Sequence, residues 1–236
     1  MTQLNIPMPR EQLERIVRQV VRQQMAQCPP ALRGAGGSGA ATCGPYTPNL
    51  VVNISARHLH ISAQDLATLF GSGAELTVFR WLYQPGEFAA EQTVTLIGPR
   101  RRVIENVRIL GPVRKHTQVE ISATDAVALG VDAPVRPSGK TDSTPGCIVL
   151  GPKGMIELKQ GVIRAERHVH MTPMDAEFYG FANGQYVRLR VASDCGMTFD
   201  NVLCRVHENF LLEVHLDTDE GNACNLINAT AAELLA

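Results

Sequence analysis

Arg57-His58-Leu59-His60-Ile61-Ser62 returns later in the chain as Arg167-His168-Val169-His170-Met171-Thr172. An acid follows each copy at the same place, Asp65 and Asp175. In a strand, residues i and i+2 point to one face, so each His-x-His presents two imidazoles side by side. Ser62 with Asp65, and Thr172 with Asp175, resemble capping boxes, and Pro173 suits a first helical turn. Each copy therefore reads as a strand that carries two imidazoles and then runs into a short helix.

The repeat extends beyond the histidines. Asn106-Val107 matches Asn201-Val202, and the same offset sets Val119 against Val214, Ile121 against Leu216 and Asp125 against Glu220. It also sets Glu120 against His215. The two halves thus supply equivalent triplets: His58, His60 and Glu120, then His168, His170 and His215. Three protein ligands leave one position of a tetrahedral ion open, which is the catalytic pattern for zinc. Imidazole with carboxylate also suits cobalt, nickel or iron, and two such sites could act as a metal pair. A lone histidine is usually structural, but these motifs take four of the chain's seven histidines. His116 and His207 have no repeat equivalent.

Outside the triplets the body reads as β. Short runs broken by Gly-Pro predict strands: 93–97, 107–110, 118–121, 147–150 and 186–191. The expected class is mainly β, a sandwich or barrel with few short helices. With 44% hydrophobic and only 5% aromatic residues, the core must be largely aliphatic. From Pro9 to Gln27, Leu13, Ile16, Val17, Val20, Val21 and Met25 fall at helical spacing and form one apolar stripe. A Pro/Gly/Ala/Ser-rich linker follows over 28–48. A helix this short is marginal alone. Its stripe needs a partner, either the chain's own body or, in our reading, another protein.

A net charge of −1 argues for neither nucleic acid nor an anionic membrane. No apolar run is long enough to span a bilayer, and no signal-peptide core opens the chain. The six cysteines form no C-x-x-C pair and read as reduced thiols of a cytosolic protein. An anionic ligand would need a local basic patch, and Arg100 to Arg102, Arg108, Arg114, Lys115 and Lys153 are candidates. Arg114, six residues before Glu120, is the preferred anion-binding residue, because a guanidinium grips phosphate in a fork. No Ser nucleophile elbow, Walker loop or dinucleotide fingerprint occurs.

Asn53-Ile54-Ser55-Ala56-Arg57-His58-Leu59-His60 resembles the opening signature of the PduL-type phosphotransacylases, the phosphate propanoyltransferases. Gln84-Pro85-Gly86, Thr93–Leu96, Val107–Pro112, Thr117–Ser122, Arg167–Met171 and His215–Glu220 extend the resemblance to the whole body. Arg80, Glu87 and Arg101 depart from the residues usual in the family. The resemblance implies two pseudo-symmetric small β-barrels capped by short α-helices. The first domain would be 57–165 and the second 49–56 plus 166–236, preceded by an encapsulation-type helix (1–27) and a linker (28–48).

The resemblance further implies two divalent ions, usually zinc, held by the two triplets. The reaction would interconvert a short-chain acyl-CoA (propanoyl or acetyl) plus phosphate with acyl phosphate plus CoA. Arg114 would act in catalysis, while Ser55, Arg80, Arg108 and Asn222 would contact coenzyme A. Shell or core proteins of a bacterial microcompartment in the cytoplasm, as in propanediol degradation, would bind the N-terminal helix, and the enzyme could be a homo-oligomer. Two other readings remain at this point. One is a di-metal hydrolase of a thioester, ester or lactone. The other is a structural-metal scaffold for compartment assembly.

Overall fold

The protein's structure, a computed structural model, describes residues 46–236. The N-terminal helix and most of the linker expected from the sequence lie outside those residues. The chain runs β1 (Val51–Ser55), β2 (His58–Ser62), α1 (Ala63–Phe70), β3 (Val78–Trp81), β4 (Phe88–Ile97), β5 (Val103–Arg114), β6 (Gln118–Glu120), α2 (Ala123–Leu129), β7 (Val135–Arg136), β8 (Cys147–Leu150), β9 (Met155–Leu158) and β10 (Val162–Ala165). It continues through β11 (His168–Met171), α3 (Pro173–Tyr179), β12 (Tyr186–Ala192), β13 (Met197–Val206), β14 (Glu213–Asp217), α4 (Thr218–Ala223) and β15 (Ala231–Leu235). Every strand run expected from the sequence lies within or overlaps one of these strands. No helix among the described residues is long and apolar enough to cross a membrane.

The strands form two curled half-barrel sheets. One is nine-stranded, ordered β7-β10-β6-β2-β5-β4-β8-β9 with β3 on β4; the other is six-stranded, ordered β1-β14-β11-β13-β12-β15. The repeat is visible in the pairing. In each sheet the His-x-His strand lies antiparallel to the strand bearing the third residue of its triplet, with Leu59 opposite Val119 and Val169 opposite Val214. It also lies parallel to the strand that carries the repeated Asn-Val, β5 or β13. Asn106 and Asn201 both adopt a left-handed backbone, φ 58° and 57°. Asn is one of the few L-residues that tolerates this conformation, which explains the repeated Asn.

The two halves exchange strands. β1 immediately precedes the first Arg-His-x-His, yet it pairs with β14 of the second sheet, Asn53 opposite His215. β10 precedes the second copy and pairs with β6 of the first sheet, Ile163 opposite Glu120. The chain thus crosses between sheets just before each histidine pair. Each crossing is pinned by its arginine: Arg57 bonds Asp125 on α2 at 2.5 Å, and Arg167 bonds Glu220 on α4 at 2.7 Å. These acids are the repeat partners noted in the sequence, so both arginines serve the fold.

Each sheet has its own aliphatic core. Leu59, Val107, Ile109 and Val119 are fully buried in one, and Val169, Leu189, Val202 and Val214 in the other. These are the residues between and opposite the histidines, so packing on one face of β2 and β11 holds the imidazoles on the other. Replacing Leu59 by Ala should cost about 2–5 kcal/mol, the usual range for emptying such a site, measured by chemical denaturation.

The helices after the histidine strands start where the sequence predicts, with one difference. Thr172 and Asp175 form a complete capping box. Ser62 accepts from the Asp65 amide, but its own amide donates to Thr117 Oγ1 (3.0 Å), not to Asp65. Thr117 hydrogen-bonds the Asp65 carboxylate as well. The repeat position of Thr117 is Leu212, which has no hydroxyl to intervene, so only the second copy closes the box.

Candidate functional site

The register places each triplet as the sequence suggests. His58 sits opposite Glu120 and His168 opposite His215, with His60 and His170 two residues along on the same face. In the first cluster His58 Nε2 and His60 Nε2 are 3.2 Å apart, and they lie 3.5 and 3.6 Å from the Glu120 carboxylate. Ligands around a tetrahedral zinc ion, at bond lengths near 2.1 Å, stand about 3.4 Å apart. The second cluster is a nearly regular triangle of rings, with centroid separations of 4.8, 4.8 and 4.9 Å.

Backbone contacts aim the rings. His58 Nδ1 lies 2.8 Å from Ala56 O, and His168 Nδ1 lies 2.9 Å from Glu166 O. A carbonyl can only accept, so Nδ1 carries the proton in both and Nε2 presents its lone pair to the cluster. Such outer hydrogen bonds commonly fix the tautomer of a metal-binding histidine. Both carbonyls lie in the strand crossings, so the exchange of strands sets the aim of the imidazoles.

Burial disfavours protonation of His60, His168 and His170. It pulls His60 down to about 4, with Glu120 opposing and His58 assisting. Burial and the neighbouring His215 take His168 down to about 3, and burial with His168 and His215 takes His170 to about 2. Burial alone would raise the Glu120 carboxyl, but His58, His60 and Ser138 outweigh it and hold it well below the usual range.

Several buried ring nitrogens have no hydrogen-bond partner among the described residues: His60 Nδ1, both nitrogens of His170, and His215 Nε2. His215 Nε2 does lie 3.2 Å from Glu213 Oε2, but off line for a hydrogen bond. Unpaired buried polar atoms are costly and need a reason. A pair of divalent cations fits the donor set and would occupy one nitrogen of His170 and Nε2 of His215.

The clusters share one small pocket, lined by His58 and Glu120 from one sheet and His168 and His215 from the other. Beside it opens a groove of about 650 Å³ that also reaches His58 and His215. Ser55, Arg80 and Arg108, expected to meet coenzyme A, all line this groove. Ser55 Oγ also lies 3.1 Å from His215 Nδ1. The Arg108 guanidinium is partly committed, bonding Ala90 O at 2.6 Å and lying over the Phe79 ring. Asn222 lies on α4, exposed, and is not among the groove-lining residues.

The chain's family follows from comparison with known proteins. The sequence model of phosphate propanoyltransferase matches residues 51–227, which hold all six triplet residues. The chain belongs to the phosphate propanoyltransferase family. A phosphate propanoyltransferase of Planctopirus limnophila is 49% identical over 227 residues, covering 96% of this chain and 91% of that protein. One of Thermotoga maritima is 54% identical over 76% of this chain and 85% of its own length. One of Rhodopseudomonas palustris is 43% identical over 94% of this chain and 95% of its own. Membership makes this chain an enzyme, a phosphate acyltransferase.

In this phosphate propanoyltransferase-family chain Arg114 approaches the first cluster. It lies 3.7 Å from Glu87 and 3.4 Å from Ser138, whose hydroxyl bonds Glu120. Arg100 to Arg102 form the exposed tip of the β4–β5 hairpin, outside the groove lining.

Three residues near the clusters were missed in the sequence. Arg205 sits opposite His170 on β13, and its guanidinium is lowered by burial and by the charge of Arg114. Its repeat position is Leu110, so a search for matching ligand types passes over it. Gln84 and Glu213 are buried polar residues at the groove, and only burial sets them apart from ordinary loop and strand polars.

A nucleophilic thiol is the rival route to acyl transfer, and Cys147, Cys204 and Cys224 are poorly suited to it. Burial pushes Cys147 up to about 12 and Cys204 up to about 11, and it raises Cys224 too. Thiols so shifted are not nucleophilic thiolates at neutral pH.

Proposed function

We propose that the protein is a metal-dependent phosphate propanoyltransferase that transfers a short acyl group, propanoyl or acetyl, between coenzyme A and phosphate. One observation carries the reading. Two equivalent triplets, each with three donors, face a common pocket that opens onto a groove lined by Arg80 and Arg108. Three donors leave room for substrate, whereas a structural scaffold would need closed sites of four.

His58, His60 and Glu120 would hold one divalent ion, and His168, His170 and His215 the other, with zinc the ion that the donor chemistry suits. When bound, the ions supply Lewis-acid polarisation of the thioester carbonyl and a cationic seat for phosphate. The residues do the rest. Arg114 grips phosphate and aligns it with the carbonyl carbon, assisted by the charge of Arg205. A phosphate oxygen attacks that carbon, the C–S bond breaks, and the proton of hydrogen phosphate passes to the departing thiolate. Acyl phosphate and CoA result, and a thioester is activated enough to need no acyl-enzyme. The groove seats the coenzyme through Ser55, Arg80 and Arg108, with Asn222 the least supported contact.

Each sheet with its capping helices would form one domain, 57–165 and 49–56 plus 166–236. The amphipathic segment 1–27 would direct the enzyme into a microcompartment of the bacterial cytoplasm by binding shell or core proteins. The match to the Planctopirus relative covers 96% of the chain, so that protein has a segment corresponding to part of residues 1–48.

The test is bound metal quantified alongside free-thiol release from propanoyl-CoA, with and without phosphate. Release that requires both metal and phosphate is expected. Release without phosphate would mean a hydrolase on the same centre, and a folded protein with neither metal nor release would leave a scaffold.

A further inference from the structure

Gln84 belongs to the first half, in the loop between β3 and β4, yet its side chain is buried against the second. Its Nε2 donates to Leu211 O (3.0 Å) and to Glu213 Oε2 (2.6 Å), and its Oε1 accepts from Leu211 N (3.1 Å). An amide that both gives to and takes from one backbone residue imitates a single rung of a β-ladder. Glu213 is only 3% exposed. Its Oε1 accepts from Asn53 Nδ2 at 2.6 Å, while its Oε2 lies 3.2 Å from His215 Nε2.

The repeat shows that this arrangement belongs to one side only. The counterpart of Glu213 is Gln118, which donates to Glu120 at 2.6 Å. Where β6 carries an amide, β14 carries a carboxylate, and the Glu213 carboxylate is tied to the opposite half. The loop that carries Gln84 also carries Tyr83 and follows Trp81, both on the groove wall, and Glu213 and His215 line the same groove.

We propose that Gln84 and Glu213 are positioning residues, a clamp that holds the Trp81–Glu87 wall of the groove and the ring of His215 in one fixed relation. The inference deepens the acyl-CoA reading of the groove and rests on it. A substrate seated against that wall is placed relative to His215 by one buried amide–carboxylate contact.

The experiment uses the full-length, metal-loaded protein. Q84E sets two carboxylates against each other at the 2.6 Å contact. Adding E213Q restores one donor facing one acceptor, with the direction reversed. Expected for Q84E is a rise of about tenfold in KM for propanoyl-CoA, the scale of losing one bond to a buried charge, with KM for phosphate unchanged. Amide hydrogen exchange across Leu211–Glu213 should quicken. The double variant should recover part of the KM shift, because the oxygen that Q84E sets against Leu211 O remains. Gln84→Met, which keeps the volume without the donor, should shift KM the same way and serves if Q84E does not fold.

A lowered thermal midpoint with both KM values unchanged would overturn the proposal, since the pair would then be structural glue. A double variant no better than the two single effects combined would overturn it too. Wild-type protein that does not bind propanoyl-CoA would refute the groove's ligand, and with it the clamp's role in seating that ligand. In that case the exchange data alone would tell a failed clamp from a failed ligand assignment.

Discussion

Replacing His168 by Ala is expected to lower phosphate-dependent thiol release at least about a thousandfold and to remove one of two bound divalent ions, on the di-metal reading proposed above. Loss of an outer hydrogen bond alone typically weakens a metal site about ten- to a hundredfold, so loss of a ligand should exceed that. The geometry says why His168 matters. Its Nδ1–H is spent on Glu166 O, so its Nε2 has one role, toward His170 and His215. Without it the second cluster offers two imidazoles, too few to hold an ion tightly. The first cluster draws on no residue of the second and should keep its ion. Metal content by mass spectrometry, beside turnover, checks both halves of the expectation. A variant with full metal content and wild-type turnover would refute the assignment of His168 as a ligand.

The second large effect is on stability in acid. Once stripped of metal, the protein should unfold with a midpoint above pH 4, and reloading with zinc should move that midpoint lower. His60 and His170 are buried by both structure and environment, and their rings are held below the ordinary 6.5, at about 4 and about 2. A base whose folded pKa is lowered binds fewer protons in the folded state than in the unfolded one. Its contribution is fully present above pH 6.5 and is lost as the pH falls. Each such proton costs about 1.4 kcal/mol per pH unit, so the two rings together remove roughly 3 kcal/mol per unit. A domain of ordinary stability, about 5–15 kcal/mol, cannot withstand that slope for long.

Glu120 and Glu213 are held below the usual carboxylate range, so their contribution persists through this window and fails only at lower pH. A bound ion occupies the lone pairs that protons would take, which is why loading should protect. Far-UV circular dichroism against pH, for stripped and reloaded samples, reads the difference. Equal midpoints would mean that no ion sits on these rings.

How much of this could be read in advance depends on how local the determinant is. His58 and His60 share a face because strands alternate, and Leu59 between them turns inward for the same reason. The third residue of each triplet was found by the repeat, because a duplicated fold keeps equivalent positions equivalent. Thr172 and Asp175 close their box because a capping box needs only four consecutive residues. The first copy breaks that pattern through Thr117, a residue distant in sequence that no local rule could supply. Asn222 was carried over from motif position and stands apart from the groove lining, whereas Ser55, Arg80 and Arg108 reached it.

Arg205 and the Gln84–Glu213 pair escaped for a related reason. Their residue types are ordinary on a surface, and only burial beside the clusters makes them significant. Arg108 was read as free to meet an anion, but Ala90 O and the Phe79 ring hold part of its guanidinium.

By itself the sequence determined the mainly β class, the two His-x-His strands, the six triplet residues and the capped helices. Each follows from periodicity, short-range hydrogen bonding or duplication, all of which are written along the chain. The tertiary structure decided that β1 and β10 trade sheets and that the crossings' carbonyls aim His58 and His168. It also decided that the two clusters open on one pocket, and that Gln84 bridges the halves. Those outcomes depend on pairing between residues far apart in the chain. Such pairing is set by which apolar faces pack together, and no local pattern encodes it.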